Sequence, residues 1–260
     1  MAQYSVTRKG KFSSHNRDIH EVVMLADKDG NIINTAGSAS NIPIAGGDVS
    51  GYSHINKFGF NQSVGTGFEV VTDTGGTQSY PSSATVATIT SSSGATDSGV
   101  EIEVQGLDSN YNQITETVTL NASGTKDTVA QFIRVFRMIA NTDHVGSISV
   151  TVDSVVIDTM PADAGQTLMA IYTVPAGKTA YLLKFQGNVE KDTGTIFRFL
   201  ARSFGGAFNV KGQFGTFGSA VTFDYPVPLV FTEKTDIEVN VKAQGTTGAG
   251  AIFDLILVDN

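Results

Sequence analysis

Between Val100 and Leu120 the chain reads VEIEVQGLDSNYNQITETVTL. Val100, Ile102 and Val104 alternate with Glu101, Glu103 and Gln105, and beyond LDSNYN the residues Ile114, Val118 and Leu120 alternate with Thr115, Thr117 and Thr119. A period of two describes a strand with one buried and one wet face. LDSNYN consists of residues that bond their own backbone or tolerate turn dihedrals, so the two runs are expected to fold back as an antiparallel hairpin.

Most of the chain repeats this style. Strands are predicted at 67–72, 84–91, 100–106, 113–120, 131–140 and 146–158, then at 168–174, 179–188, 195–203, 220–225, 229–231, 236–243 and 251–258. Turn residues punctuate the series at the spacing of a sandwich or barrel. Pro226 and Pro228 belong at an edge or between strands, because proline cannot donate to a ladder. The segment FIRVFRMIA, 132–140, spaces Arg134 and Arg137 like a helical turn, but its β-branched and aromatic content favours a strand.

Ahead of the series, EVVMLA (21–26) and NIINT (31–35) flank Asp27-Lys28-Asp29-Gly30, a strand–turn–strand signal. TAGSASNIPIAGGDVSGYS, 35–53, is small and nearly uncharged, which reads as a linker. Met160-Pro161-Ala162-Asp163-Ala164-Gly165 interrupts the later pattern. The expected class is therefore all-β: two consecutive antiparallel β-sandwich domains, jelly-roll-like, preceded by an N-terminal arm and hairpin. The boundaries are 1–50 for the arm, hairpin and linker, 51–162 for the first sandwich and 163–260 for the second.

Composition adjusts the picture in three ways. Apolar residues make up 40% of the chain, enough to fill two cores, while 28 glycines favour many short strands joined by tight turns. The absence of cysteine excludes disulfides, thiolate metal sites and thiol nucleophiles. Neither a signal-peptide core nor eighteen consecutive apolar residues occurs, so the sequence is expected to be soluble and made in a cytoplasm, with no membrane partner.

Charge is unevenly placed. The chain carries −8 overall, which argues against nucleic acid as a partner. Within the first 20 residues Arg8, Lys9, Lys11 and Arg17 oppose only Asp18, a balance of +3 that leaves −11 on the remainder. A basic arm preceding an acidic body could dock on an acidic partner, and those four cations are the candidate attachment residues.

Reactive constellations are sparse. The histidines are His15, His20, His54 and His144; the spacing of His15, Asp18 and His20 matches no zinc or facial-triad pattern. DKDGN opens like a calcium loop without the later acidic ligands. Gly65-Thr66-Gly67 begins a phosphate-like string but lacks the third glycine. Glu101/Glu103 and Asp254/Asp259 could serve as a glycosidase acid and base, but Glu101 and Glu103 fall on the solvent face of an alternating strand, where charges normally serve solubility. Phe204, Phe208, Phe214, Phe217 and Phe223, interleaved with glycines, read more readily as loop anchors than as a sugar-stacking platform. No catalytic, cofactor or metal residue is assigned, and no enzyme activity is expected.

VEIEVQGLDSNYNQITETVTLN, FIRVFRMIA, GQTLMAIYTVPAGKTAYLLKF, ARSFGGAFNVKGQF, YPVPLVFTEKTDIEVNVKA and the terminal FDLILVDN together resemble a family of virion structural proteins of tailed bacteriophages. The resemblance spans roughly 50–260. It implies a non-enzymatic component of the virion: a fibre or spike appendage anchored to head, neck or tail through the arm, or alternatively a capsid decoration protein or a receptor- or carbohydrate-binding module of the tail. The implied partners are other virion proteins, such as capsid, portal or tail, and further copies of the chain, a homotrimer being favoured. Under the last alternative a host surface glycan joins them.

Overall fold

The computed structural model describes residues 42–260, so the arm, the 21–35 hairpin and the DKDGN string lie outside the described residues. The chain divides into two compact units, Met1–His54 and Ile55–Asn260. Of the first, the described part holds a one-turn helix, α1 (Ile42–Ala45), closed by the Gly46 N–H bonding the Ile42 carbonyl. The second is built from antiparallel strands.

Two strands lead: β1 (Tyr52–Val64) and β2 (Glu69–Val70). Seven follow: β3 (Thr85–Ser91), β4 (Glu101–Leu107), β5 (Gln113–Thr119), β6 (Thr125–Phe132), β7 (Arg134–Ala140), β8 (Ile148–Val152) and β9 (Val155–Met160). They form one sheet in the order β6-β3-β8-β9 and another in the order β5-β4-β7. The last seven are β10 (Ile171–Thr173), β11 (Lys178–Val189), β12 (Gly194–Arg202), β13 (Asn209–Phe217), β14 (Val221–Phe231), β15 (Asp236–Ala243) and β16 (Thr247–Asp259). These take in the two leading strands, giving β1-β16-β11-β14 and β10-β15-β12-β13 with β2 beside β15. The fold is all-β, in antiparallel sheets packed as sandwiches.

The β4–β5 hairpin forms as its alternation predicts, from Glu101 opposite Thr119 to Leu107 opposite Gln113. Its turn is held by Asp108, whose Oδ1 accepts the backbone N–H groups of Asn110 (2.8 Å) and Asn112 (2.9 Å). The run 131–140, read as one strand, divides at Ile133: Gln131 and Phe132 end β6, and Arg134 to Ala140 are β7 on the β4 ladder, strand rather than helix. Gly106 makes that ladder close: a Cβ there would lie 2.0 Å from the Arg134 carbonyl oxygen. The run 146–158, read as one strand, is the hairpin of β8 and β9, turned at Asp153 (φ 49°) and Ser154 (φ 62°). Positive φ at both central residues matches the right-handed twist of the flanking strands. Residues 220–231, read as two strands, form β14 at the end of its sheet; Leu229 pairs with Leu182 and Asp224 with Lys184, so Pro226 and Pro228 sit in the bulge between them.

The sheets that contain β11 and β12 face each other through aromatic residues. Phe185 meets Phe197 and Phe199 edge-on, Phe199 packs on Phe231 and Phe253, and all but Phe231 are fully buried. Burying each such side chain contributes about 2–3 kcal/mol.

Candidate functional site

The face of β12 and β15 turned away from this core concentrates charged and aromatic side chains. Phe197, Phe199 and Ala201 point inward, so the period of two sends Ile196, Arg198, Leu200 and Arg202 outward. On β15 the same rule presents Asp236, Glu238, Asn240 and Lys242. The register sets Arg202 beside Asp236, Arg198 beside Asn240 and Ile196 beside Lys242.

At one end lies a buried ion network. Arg134 Nε donates to Asp236 Oδ1 at 2.9 Å, Arg202 Nη2 donates to Oδ2 at 2.5 Å, and the Thr173 hydroxyl donates to Oδ1 at 2.7 Å. Arg134 Nη2 also donates to Asp236 Oδ2 at 3.2 Å, and its Nη1 reaches the carbonyls of Pro81 (3.1 Å) and Ile133 (2.8 Å). Both guanidinium groups face the Tyr80 ring, at 5.0 and 4.5 Å, and the Tyr80 hydroxyl donates to Glu238 Oε2 at 2.9 Å. Burial pushes the Asp236 carboxyl up, but the Arg134 hydrogen bond and charge outweigh it and hold the group below the usual carboxylate range. The network joins β7 to β10, β12 and β15, which makes it a clasp between the two sandwiches. Beside it, Lys234 lies over the rings of Tyr111 (5.5 Å) and Phe204 (5.4 Å), and Phe204 is 65% exposed.

The opposite end is different. The Arg198 guanidinium carbon lies 3.7 Å and the Lys242 ammonium 4.8 Å from the centre of the Phe68 ring. An open cleft of about 730 Å³ reaches Lys242, lined by Thr66, Gly194, Gly215, Phe217, Lys242 and Gln244 among others.

A third polar cluster is buried under β1. Lys57 donates to the Phe136 carbonyl, and burial, reinforced by the Arg137 charge and opposed by Asp158, lowers its pKa well below the ordinary lysine value. Asp158 accepts from the Thr74 hydroxyl (2.6 Å) and N–H (3.0 Å), while its Oδ2 has no hydrogen-bond partner. Burial raises its carboxyl to about 6 and that of Asp73 to about 7.

Of the residues singled out from the sequence, Arg8, Lys9, Lys11, Arg17, His15 and His20 lie outside the described residues. Glu101 is exposed and accepts from Asn141 (3.0 Å), and Glu103 accepts from Gln105 (2.6 Å). Asp254 accepts from Asn56 (2.7 Å) and Asp259 is paired with Lys178. The Gly65 N–H is taken by Glu69 Oε1 at 2.9 Å, so an internal carboxylate occupies what an anion would need. His144 is buried with Nδ1 2.7 Å from the Gly146 carbonyl oxygen. Among the described residues no group of three or more His, Cys, Asp or Glu is placed to hold a metal, and no helix is long and apolar enough to cross a membrane. Sequence reasoning passed over Arg198, Lys242 and Phe68. The signal was present in FRFLAR, where the arginines occupy the polar positions of an alternating strand.

No family model and no curated protein matches this chain. Among solved structures it is similar to the infectious bursal disease virus Gt strain structure (12% identity, 81% of this chain and 73% of that one, TM-score 0.22). The PBSX exported protein XepA matches at 10% identity over 92% of this chain and 100% of that one, with a TM-score of 0.19. A bacterial lipoprotein from Bacteroides thetaiotaomicron matches at 14% identity, covering 80% and 95%, with a TM-score of 0.20. Scores this low transfer nothing from those proteins to this chain. Its class is defined by its own sheets: an all-β protein of paired sandwiches.

Proposed function

We propose that the protein is a non-catalytic structural component of a tailed-bacteriophage virion, an appendage whose basic arm anchors it while the β body projects. The observation that carries this reading is an apolar outer strand, β14, with one strand neighbour among the described residues. In β14, the last strand of its sheet, Phe223 is 43% exposed, Val227 81% and Val230 58%. Exposed apolar side chains along an outer strand are characteristic of an assembly surface. The resemblance of 50–260 to phage virion proteins supports the same reading, as does a polar inventory largely engaged in holding loops and sheets together.

Copies of the chain meet as a homotrimer in this account, because closed symmetry multiplies a modest contact. Sedimentation equilibrium is expected to give a trimer at micromolar concentration; a monomer would count against assembly through this strand. Deleting residues 1–35 should leave the body folded and abolish incorporation into particles. Normal incorporation of the truncated chain would contradict the anchoring role of Arg8, Lys9, Lys11 and Arg17.

A further inference from the structure

The outer face of β12 and β15 treats its two pairs of cations differently. Arg134 and Arg202 share Asp236, whereas Arg198 and Lys242 share only a phenyl ring. Arg198 Nε donates to the neutral Gln213 Oε1 at 2.9 Å, and among the described residues no carboxylate pairs with either cation. Two like charges on one ring repel each other, and the body around them is acidic overall. An anion beside them would relieve the repulsion.

The adjoining cleft has room for one. Its volume, about 730 Å³, lies in the range of small-ligand sites. Glycines create it: a Cβ on Gly215 would have no atom nearer than 3.9 Å, so the floor is open there. At Gly194 a Cβ would sit 2.8 Å from Cδ and Oε1 of Gln244, so glycine is what lets that amide lie against the floor. The exposed Phe217 ring forms part of the lining, and Thr66 and Gln244 add a hydroxyl and an amide. An aromatic face for the C–H face of a pyranose, neutral donors and acceptors for its hydroxyls, and a cation, Lys242, for a carboxylate occur together here.

We propose that this cleft binds an acidic saccharide, a carboxylated pyranose segment seated over Gly215 with its carboxylate toward Lys242. The proposal stands on the cleft alone and does not require the virion role. Isothermal titration of the full chain with tetragalacturonate and with neutral cellotetraose tests it. Binding of the acidic sugar is expected, at least tenfold tighter than that of the neutral one and weakening as salt rises. Lys242→Gln should weaken it at least tenfold, and Gly215→Leu, which fills open space, should abolish it with the melting temperature unchanged. Equal binding of both sugars, no binding of the acidic sugar at millimolar concentration, or binding indifferent to Gly215→Leu would overturn the assignment. So would tighter binding of a polyglutamate peptide, which would make the cleft a protein-docking site. Should Gly215→Leu lower the melting temperature, Lys242→Gln alone decides.

Discussion

Asp158 shows how a single buried group can set the response of the fold to pH. Its carboxyl titrates at about 6 in the folded chain, against 3.8 for the ordinary group, because burial penalises the charged form. Between these values the folded chain holds a proton that the unfolded chain has released, so stability falls as pH rises through the window, and the loss is complete above about 6. Asp158→Asn keeps the acceptor for Thr74 and removes the buried charge. It is expected to be more stable than the parent at pH 8, by about 3 kcal/mol, with the difference gone at pH 3, as read from urea unfolding at each pH. Asp236 behaves oppositely: its depressed pKa stabilises the fold above the ordinary carboxylate range, and this is lost on acidification. Asp236→Ala strands two guanidinium groups and should cost about 3–5 kcal/mol at neutral pH in the same measurement. Neither group could be identified from sequence. Asp158 sits in an ordinary β-branched run, and the partners of Asp236 are contributed by β7 and β12, far away along the chain.

Among the elements, those read correctly are those whose buried face is apolar. The β4–β5 hairpin was legible because Ile102, Val104 and Val118 are buried where alternation places them. β1 was not, and it extends through residues taken for a linker and beyond. Its buried positions are Lys57, Gly59, Asn61 and, at the far end, Val64; the first three are held by a bond to the Phe136 carbonyl, by close passage of the 71 and 170 backbones, and by a bond to the Val70 carbonyl. β6 hides for a related reason. It is an edge strand whose bulge is completed by side chains: Thr128 accepts the Ala87 N–H, and Glu116 accepts those of Val129 (2.7 Å) and Ala130 (2.8 Å). Glu116→Ala should therefore speed amide exchange at Val129 and Ala130 selectively and cost about 1–3 kcal/mol. Unchanged exchange there would show that the carboxylate does not hold the edge. β13 was passed over because its glycines resemble a loop, although Phe214 stacks on Phe185 at 5.2 Å.

For the whole molecule, sequence indicated two successive sandwiches, and the sheets show how they are joined. β1 and β2, early in the chain, pair with β16 and β15 near its end, and one apolar core cluster runs through both sets of strands. Residues 55–260 form a single compact unit. Calorimetry is expected to show one unfolding transition for this body, and two well-separated transitions would mean that the Asp236 clasp and the shared core do not couple the halves. The candidate saccharide cleft was illegible at this scale, since it requires Phe68 from the β1–β2 side to meet Arg198 and Lys242 from strands more than a hundred residues later. The central claim, that the chain is a virion appendage, is tested most directly by quantitative mass spectrometry of purified particles of the phage that encodes it. The account predicts that the chain is present at a copy number far below that of the major capsid protein. Its absence from the particles, or a copy number matching the capsid protein, would contradict the account.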